Sequence, residues 1–188
     1  MSIKEEIASG KEVLSRGGVL IYPTDTVWGI GCDATDEQAV QRVTKIKNRE
    51  ESKGFVVLFS DIDMLSDYCE DVNSDLISFL SAERPTTVII HGLMKMAAST
   101  SSSDGSVAVR IPKDEFCILL INELGKPIIS SSANSSGAGA PEQYSDIPES
   151  FLNEAGYVIN LLREEKTSLK PSRIIELLPS GGFNVIRE

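Results

Sequence analysis

The apolar and polar positions of this chain follow two periods, one typical of helices and one typical of strands. Residues 2–16 place apolar side chains near one helical face and charged side chains on the other, which predicts an amphipathic helix ended by two glycines. A second such helix begins at residues 35–37 and brings Lys47 and Arg49 to its C-terminal end, where cations suit the helix dipole. The first apolar face is Ile3, Ile7 and Leu14, the first charged face is Lys4, Glu5, Glu6 and Lys11, and the second apolar stripe is Ala39, Val40, Val43 and Ile46.

Short apolar runs bounded by turn residues predict strands along the rest of the chain. These runs cover residues 19–22, 55–59, 86–90, 106–111, 127–130, 157–160, 173–177 and 183–186, and further helices are predicted over residues 61–68, 73–82 and 114–124. Strands interleaved with helices predict an α/β fold, with a single domain over residues 1–188 built on one twisted, mixed β-sheet flanked by helices. The Ser-rich stretch at residues 99–103 is expected to be a surface loop.

Composition and charge limit the classes of function. At 188 residues, with 41% hydrophobic and 24% charged residues, the chain resembles an ordinary globular domain. No apolar run approaches the ~20 residues that span a bilayer, and the N-terminus lacks the pattern of a secretory signal, so we expect a cytoplasmic protein. The net charge of −10 disfavours tight nucleic-acid binding by this chain alone, although net charge does not exclude a local basic groove.

Cysteine and histidine usage argues against two common kinds of site. Cys32, Cys69 and Cys117 show no CxxC spacing and are expected to be buried, reduced thiols. With His91 as the single histidine, neither a His/Cys zinc site nor a His-based triad is expected, and no protein-bound metal is predicted. His91 itself is expected in a loop or at a strand end.

The segment from Tyr22 to Thr26 follows a predicted strand and precedes the glycine-rich stretch of residues 29–31. Pro23 fixes the turn, after which Thr24 and Thr26 can present two hydroxyl groups to a ligand. The same threonines are equally suited to capping their own backbone in a strand-exit loop. The spacing alone does not separate these two interpretations.

Lys47, Arg49 and Lys53 form a cluster of cations at the end of the second predicted helix. Residues two apart on a continuing helix face different directions, so these side chains converge only if the helix ends there and the chain turns back. An arginine fork and lysine charges at one point would suit a polyphosphate. A solvated basic patch is the alternative.

Ser130 to Gly137 follow a predicted buried strand, at the kind of position where α/β sheets bind ligands. Small hydroxyl and amide side chains, including Ser132 and Asn134, allow the backbone to approach a phosphate or an amino acid. A plain Ser-rich loop is the alternative. Neither a Walker loop nor a Gly-x-Gly-x-x-Gly fingerprint occurs.

Together these segments resemble the YrdC-like family. Its motifs Tyr-Pro-Thr-Asp-Thr-x-x-Gly-x-Gly, Lys-x-Arg, Val-x-Val-Arg-Ile-Pro, Gly-Lys-Pro-Ile-x-Ser-x-Ser-Ala-Asn-x-Ser-Gly and Pro-Ser-x-Ile-Ile-Glu-Leu occur here in order, between about Gly17 and Arg187. The family includes threonylcarbamoyl-AMP synthases, which condense L-threonine, bicarbonate and ATP to threonylcarbamoyl-AMP and pyrophosphate. Their product feeds threonylcarbamoyl modification of tRNA. The resemblance therefore implies the short form of such an enzyme, with the downstream tRNA threonylcarbamoyl-transferase machinery as its partner.

The resemblance also implies a role for individual residues. It implies that Lys47 and Arg49 act in catalysis by neutralising phosphate charge, with Mg²⁺ accompanying ATP. The implied ATP-binding residues are Lys47, Arg49, Lys53, Ser106, Ser132, Asn134 and Arg187. The implied threonine-binding residues are Thr26, Arg110, Ser130 and Ser172, of which Arg110 suits the carboxylate.

One three-residue segment and three single positions depart from the family pattern and concern the shape of the pocket. Residues 83–85 replace a usual Pro-Gly-Pro, Trp28 replaces a usual Tyr, Arg173 replaces a usual Thr, and Leu58 stands where some members have His. The Lys-x-Arg and Ser-x-Asn motifs are both present, which favours the enzyme. The alternative is a non-catalytic RNA-binding or ribosome-associated module, which the acidic net charge disfavours.

Overall fold

The computed structural model describes residues 2–50, 52–165, 171–178 and 181–188. The helices within these ranges are α1 (Ile3–Ser15), α2 (Glu37–Lys47), α3 (Ile62–Ser66), α4 (Ser74–Ser81), α5 (Glu115–Leu124) and α6 (Glu149–Glu154). The strands are β1 (Leu20–Tyr22), β2 (Gly29–Asp33), β3 (Val56–Leu58), β4 (Thr86–Ile90), β5 (Val107–Arg110), β6 (Ile128–Ser132), β7 (Tyr157–Val158), β8 (Arg173–Leu177) and β9 (Phe183–Arg187). None of the helices in these ranges is long and apolar enough to cross a membrane.

Most helices begin at a polar side chain that accepts a hydrogen bond from a free N–H of the first turn. Asp36 caps α2, Asn73 caps α4 and Asp114 caps α5 in this way. At the other end, Asn48 and Gly125 adopt the left-handed conformation that ends α2 and α5. These local signals explain why the predicted helix boundaries agree with the structure to within one or two residues.

The strands form one mixed sheet in the order β7-β1-β2-β6-β3-β5-β4-β8-β9. The pairs β1–β7, β3–β5 and β4–β8 are parallel, and the other pairs are antiparallel. One face packs against α2, α3 and α4, and the other packs against α1 and α5. The predicted α/β fold with a mixed sheet flanked by helices is confirmed.

Strand β2 was not predicted, because its sequence Gly-Ile-Gly is typical of a loop. All five of its residues are buried, and it pairs with both β1 and β6. A Cβ atom on Gly31 would lie 1.9 Å from the carbonyl oxygen of Ile129, so no larger residue fits without movement of the backbone. The glycine marks a close approach of two strands.

Two further details of the prediction are wrong. Glu6 was placed on the charged face of the first helix, but it is buried and accepts hydrogen bonds from the Tyr157 hydroxyl at 3.3 Å and the Asn160 N–H at 2.9 Å. The stretch 99–103 is not simply a surface loop, since Thr100 is fully buried and its carbonyl accepts a hydrogen bond from the N–H of Phe55. In both cases a polar group obtains its partners from distant parts of the chain.

The predicted burial of the cysteines and the predicted position of the histidine at a strand end are confirmed. Cys32, Cys69 and Cys117 are buried free thiols. His91 is exposed and immediately follows β4.

Candidate active site

A cavity of about 350 Å³ lies on the face of the sheet that α1 and α5 cover only in part. Its floor follows the period-2 alternation of the strands: Thr87 and Ile89 of β4 and Ala108 and Arg110 of β5 line it, while the residues between them face the opposite core. This volume lies within the range of small-molecule sites. The strand pattern thus produces an open pocket with a partly apolar floor.

Eight of the residues implied by the family resemblance line this cavity. They are Thr26, Arg49, Ser106, Arg110, Ser130, Ser132, Ser172 and Arg187. They come from β5, β6, β9 and four loops, so only the folded chain brings them together. Lys47, Lys53 and Asn134 are not among the described residues that line the cavity.

Arg110 is the cation at the end of β5 and is almost completely buried, with 8% of its side chain exposed. Its Nη2 is paired with the Asp25 carboxylate, and its Nη1 donates to the Thr26 hydroxyl at 3.2 Å. Burial lowers the pKa of the Arg110 guanidinium. Arg110 is therefore held in one orientation at the wall of the cavity, as a carboxylate clamp requires.

The two threonines of the loop before β2 have different environments. The Thr24 hydroxyl donates to the Val27 carbonyl at 2.8 Å and accepts from the Thr26 N–H at 3.1 Å, so it caps the loop. The Thr26 hydroxyl lies between Thr24 and Arg110. Thr24 therefore caps its own loop, both threonines line the cavity, and a contact between Thr26 and a ligand stays a prediction.

A pair of hydroxyl groups lines the cavity from β4 and from the segment before β8. The Thr87 and Ser172 hydroxyls are 2.8 Å apart, both are buried, and both residues line the cavity. Thr87 was missed in the sequence, although its position in an alternating strand was a usable signal. One hydroxyl of the pair donates to the other, so a donor remains for a ligand.

The predicted convergence of Lys47, Arg49 and Lys53 is not found. Only Arg49 reaches the cavity, where its Nε and Nη2 donate to the carbonyls of Lys53 and Gly54 and its guanidinium lies 5.0 Å from the Phe55 ring. The amine of Lys53 is exposed and lies 3.2 Å from Glu50. The return of the chain after α2 places the backbone of Lys53, rather than its amine, against Arg49.

Lys47 links the end of α2 to the end of β6. Its buried amine donates to the Ser132 carbonyl and, at 2.7 Å, to the Asn134 carbonyl. The Asn134 amide in turn donates to the carbonyls of Ser135 and Ala138, at 3.2 and 2.6 Å. The Asn134 Oδ1 is buried without a hydrogen-bond partner among the described residues.

The environment of Lys47 disfavours its charge. Burial, and secondly the charge of Arg49, lower the pKa of Lys47 to about 8. The unfolded chain keeps the ordinary value near 10.5, so between pH 8 and 10.5 the unfolded state binds more protons than the folded state. Stability attributable to this residue therefore rises with pH across that window.

This linkage gives a testable pH dependence. We expect the free energy of unfolding of the wild type to increase by about 1–3 kcal/mol relative to Lys47→Met between pH 7.5 and pH 10. The measurement is urea denaturation of both proteins at each pH. A difference that is constant with pH would show that Lys47 keeps an ordinary pKa.

The remaining predicted residues lie at the C-terminal edge of the sheet and in the loop before β5. The Arg187 guanidinium donates twice to the Ser172 carbonyl, at 2.7 and 3.0 Å, and the Ser106 hydroxyl donates to Asp104 at 2.7 Å. Two departures from the family pattern also meet here, since Arg84 and Arg173 both contact the carboxylate of Glu188. These ion pairs hold the end of β9, which carries Arg187.

Comparison with known proteins identifies the class. The Sua5/YciO/YrdC family model, described as telomere recombination, matches residues 12–188. The chain therefore belongs to this family, as its sequence motifs predicted.

Individual relatives extend over most of the chain. The threonylcarbamoyl-AMP synthase of Acinetobacter baumannii strain ATCC 17978 is 30% identical over 184 residues, which are 94% of this chain and 96% of that protein. The structure of P. abyssi Sua5 complexed with L-threonine has a TM-score of 0.83 over 94% of this chain at 22% identity, and this chain spans 52% of that one. E. coli YciO has a TM-score of 0.82 at 22% identity, covering 100% of this chain and 90% of that one. The two structures show the same fold.

Proposed function

We propose that this protein is a threonylcarbamoyl-AMP synthase, which condenses L-threonine, bicarbonate and ATP to threonylcarbamoyl-AMP and pyrophosphate. The observation that carries the proposal is one cavity lined by a fixed carboxylate-binding arginine, Arg110, and by a second arginine, Arg49, suited to phosphate. The 30% identical relative with this name, matched over nearly its whole length, supports it.

In the proposed reaction bicarbonate loses water to give CO2, and the threonine amine adds to CO2 and releases a proton to form a carbamate. A carbamate oxygen then attacks the α-phosphate of ATP, and the bond to the departing pyrophosphate breaks. No covalent nucleophile is needed, so the protein contributes positioning and charge neutralisation. Thr26, Arg110, Ser130 and Ser172 are proposed to hold threonine. Arg49, Ser106, Ser132 and Arg187 are proposed to hold ATP.

The roles proposed for Lys47, Asn134 and Lys53, which are not among the described residues that line the cavity, are supported by their contacts. Lys47 is proposed to fix the shape of the Ser132–Asn134 segment against the nucleotide through its two carbonyl contacts, and Asn134 is proposed to do so through the bonds that its amide donates to Ser135 and Ala138. Lys53 is proposed to act at the entrance, where its exposed amine is able to leave Glu50 for a phosphate.

Mg²⁺ is proposed to arrive with the nucleotide. Mg²⁺ prefers carboxylate and phosphate oxygens, yet the described lining residues include no Asp or Glu, and no cluster of three or more His, Cys, Asp or Glu in the described ranges suits a metal ion. The residues present therefore do not fit a resident metal, and no step is assigned to it.

Three further points remain predictions. They are the single domain, the location in the cytoplasm and the transfer of the product to the tRNA threonylcarbamoyl-transferase machinery.

Amino-acid choice tests the proposal. The quantity compared is the rate of pyrophosphate release, with ATP and bicarbonate present, at equal sub-saturating concentrations of the two amino acids. We expect this rate to be at least tenfold higher with L-threonine than with L-valine. The reason is that a site that hydrogen-bonds a substrate hydroxyl discriminates strongly against the isostere that lacks it. L-Serine, which keeps the hydroxyl and lacks the methyl group, is the matched control and should be intermediate. Equal rates with threonine and valine would contradict the threonine assignment.

The alternative, a non-catalytic RNA-binding module, makes a different prediction. Such a module would bind RNA with an affinity that falls steeply with salt. The net charge of −10 opposes this, so we expect no measurable RNA binding at 150 mM salt in the same preparation that releases pyrophosphate.

A further inference from the structure

Asp25 is a largely buried carboxylate behind the wall of the cavity, of intermediate burial as a residue and with 10% of its side chain exposed. One oxygen is paired with Arg110, and the other accepts a hydrogen bond from the Lys113 N–H at 3.0 Å. The N–H of Asp25 itself donates to Asp114, the N-cap of α5, at 3.2 Å. Asp25 is thus fixed by the strand-exit loop at one side and by the segment leading into α5 at the other.

These contacts determine how Arg110 meets a ligand. Of its three nitrogens, Nη2 is paired with Asp25, Nη1 donates to Thr26, and Nε has no partner among the described residues. Two anchors at different nitrogens fix the plane of the guanidinium, and the remaining Nη hydrogens are left for an anion. Without Asp25 a buried guanidinium would lack its counter-ion and would turn toward other acceptors.

We propose that Asp25 is the positioning residue for the amino-acid carboxylate. Asp25 is not among the described residues that line the cavity, and it acts through Arg110. This inference rests on the proposed function and adds a residue to its machinery. A carboxylate that holds an arginine side chain in its binding orientation lowers the entropy that is lost when the substrate binds. Removing that carboxylate should therefore weaken binding of the substrate. Nucleotide binding is independent of it, because Asp25 has no described contact with Arg49, Ser132 or Arg187.

The test is Asp25→Asn, which keeps the shape and removes the charge. We expect the KM for L-threonine, and its Kd measured by calorimetry, to rise at least tenfold, while the Kd of a non-hydrolysable ATP analogue changes less than twofold. Asp33→Asn is the matched control, since Asp33 is also a buried carboxylate, 5% exposed and 2.7 Å from the Lys126 amine, on the same sheet. It should lower stability without changing threonine affinity.

A second comparison separates positioning from general damage. In an Arg110→Lys background, Asp25→Asn should have less than a threefold further effect on threonine affinity, because the fork that Asp25 aligns is already absent. If Asp25→Asn fails to fold, Asp25→Glu keeps the charge, displaces it by one methylene and should still raise the threonine Kd. Unchanged or tighter threonine binding in the folded variant would overturn this inference alone. Absence of threonine-dependent pyrophosphate release in the wild type would overturn the proposed function instead.

Discussion

Replacing Arg110 by lysine is expected to raise the KM for L-threonine by about 30- to 100-fold and to leave the affinity for an ATP analogue within about twofold. Lysine keeps the charge, but its single ammonium cannot contact Asp25, Thr26 and a carboxylate with the geometry of a planar fork. Loss of a charged hydrogen bond costs about 2–3 kcal/mol, which corresponds to this change in KM. The measurement is threonine-dependent pyrophosphate release together with ATP-analogue binding.

Arg163→Lys is the matched control for this prediction. Arg163 is half-buried, donates to the carbonyls of Val158 and Ile159, and stacks 4.6 Å from the Tyr144 ring, but it does not line the cavity. Its replacement should lower stability slightly and leave the threonine KM unchanged. A similar KM for wild type and Arg110→Lys would place the amino-acid carboxylate elsewhere in the cavity.

The predicted elements that agree with the structure are those specified by nearby residues. Helix α5 is an example: Asp114 caps its start, the apolar residues recur at helical spacing, and Gly125 ends it with a φ of 71°. Capping and left-handed termination involve residues within four positions of each other, so a sequence contains the whole signal.

Two features that the sequence did not predict, strand β2 and the burial of Glu6, depend on distant parts of the chain. β2 is a strand because β1 and β6 pair on both sides of it, and Gly31 is required by the nearby Ile129 carbonyl, about a hundred residues away in the sequence. Glu6 is tolerated in the core because Tyr157 and Asn160 satisfy its carboxylate. Helical periodicity describes one element at a time and contains no information on such partners.

The same reasoning applies to the candidate site. The motifs predicted Arg110 and Thr26 as threonine-binding residues, and the structure brings these two side chains into contact. The pairing of Arg110 with Asp25 joins residues 85 positions apart and was not predicted, although Asp25 belongs to the same motif as Thr26. For Lys47 the motif gave the position, but its direction follows from its place on the buried stripe of α2, four residues after Val43, where its amine meets the end of β6.

Lys47→Met is expected to reduce pyrophosphate release by about 100-fold or more and to lower the free energy of unfolding by about 1–3 kcal/mol at pH 7. Methionine has a similar volume but donates no hydrogen bond, so the carbonyls of Ser132 and Asn134 lose their buried partner. Relief from burying an ammonium group offsets part of this cost, which keeps the loss of stability moderate. The segment that carries the proposed nucleotide contacts then loses its fixed shape, and we expect activity to fall far more than stability.

Lys45→Met distinguishes this effect from a general loss of positive charge. Lys45 lies on the same last turn of α2 and is exposed, so its replacement removes an equal charge without touching the Ser132–Asn134 segment. It should keep pyrophosphate release within about twofold of the wild type, since exposed charges contribute little. The decisive comparison is ATP-analogue binding by the two variants at the same ionic strength. Equal losses would mean that Lys47 acts through its charge alone, whereas a loss confined to Lys47→Met means that its two carbonyl contacts shape the nucleotide site.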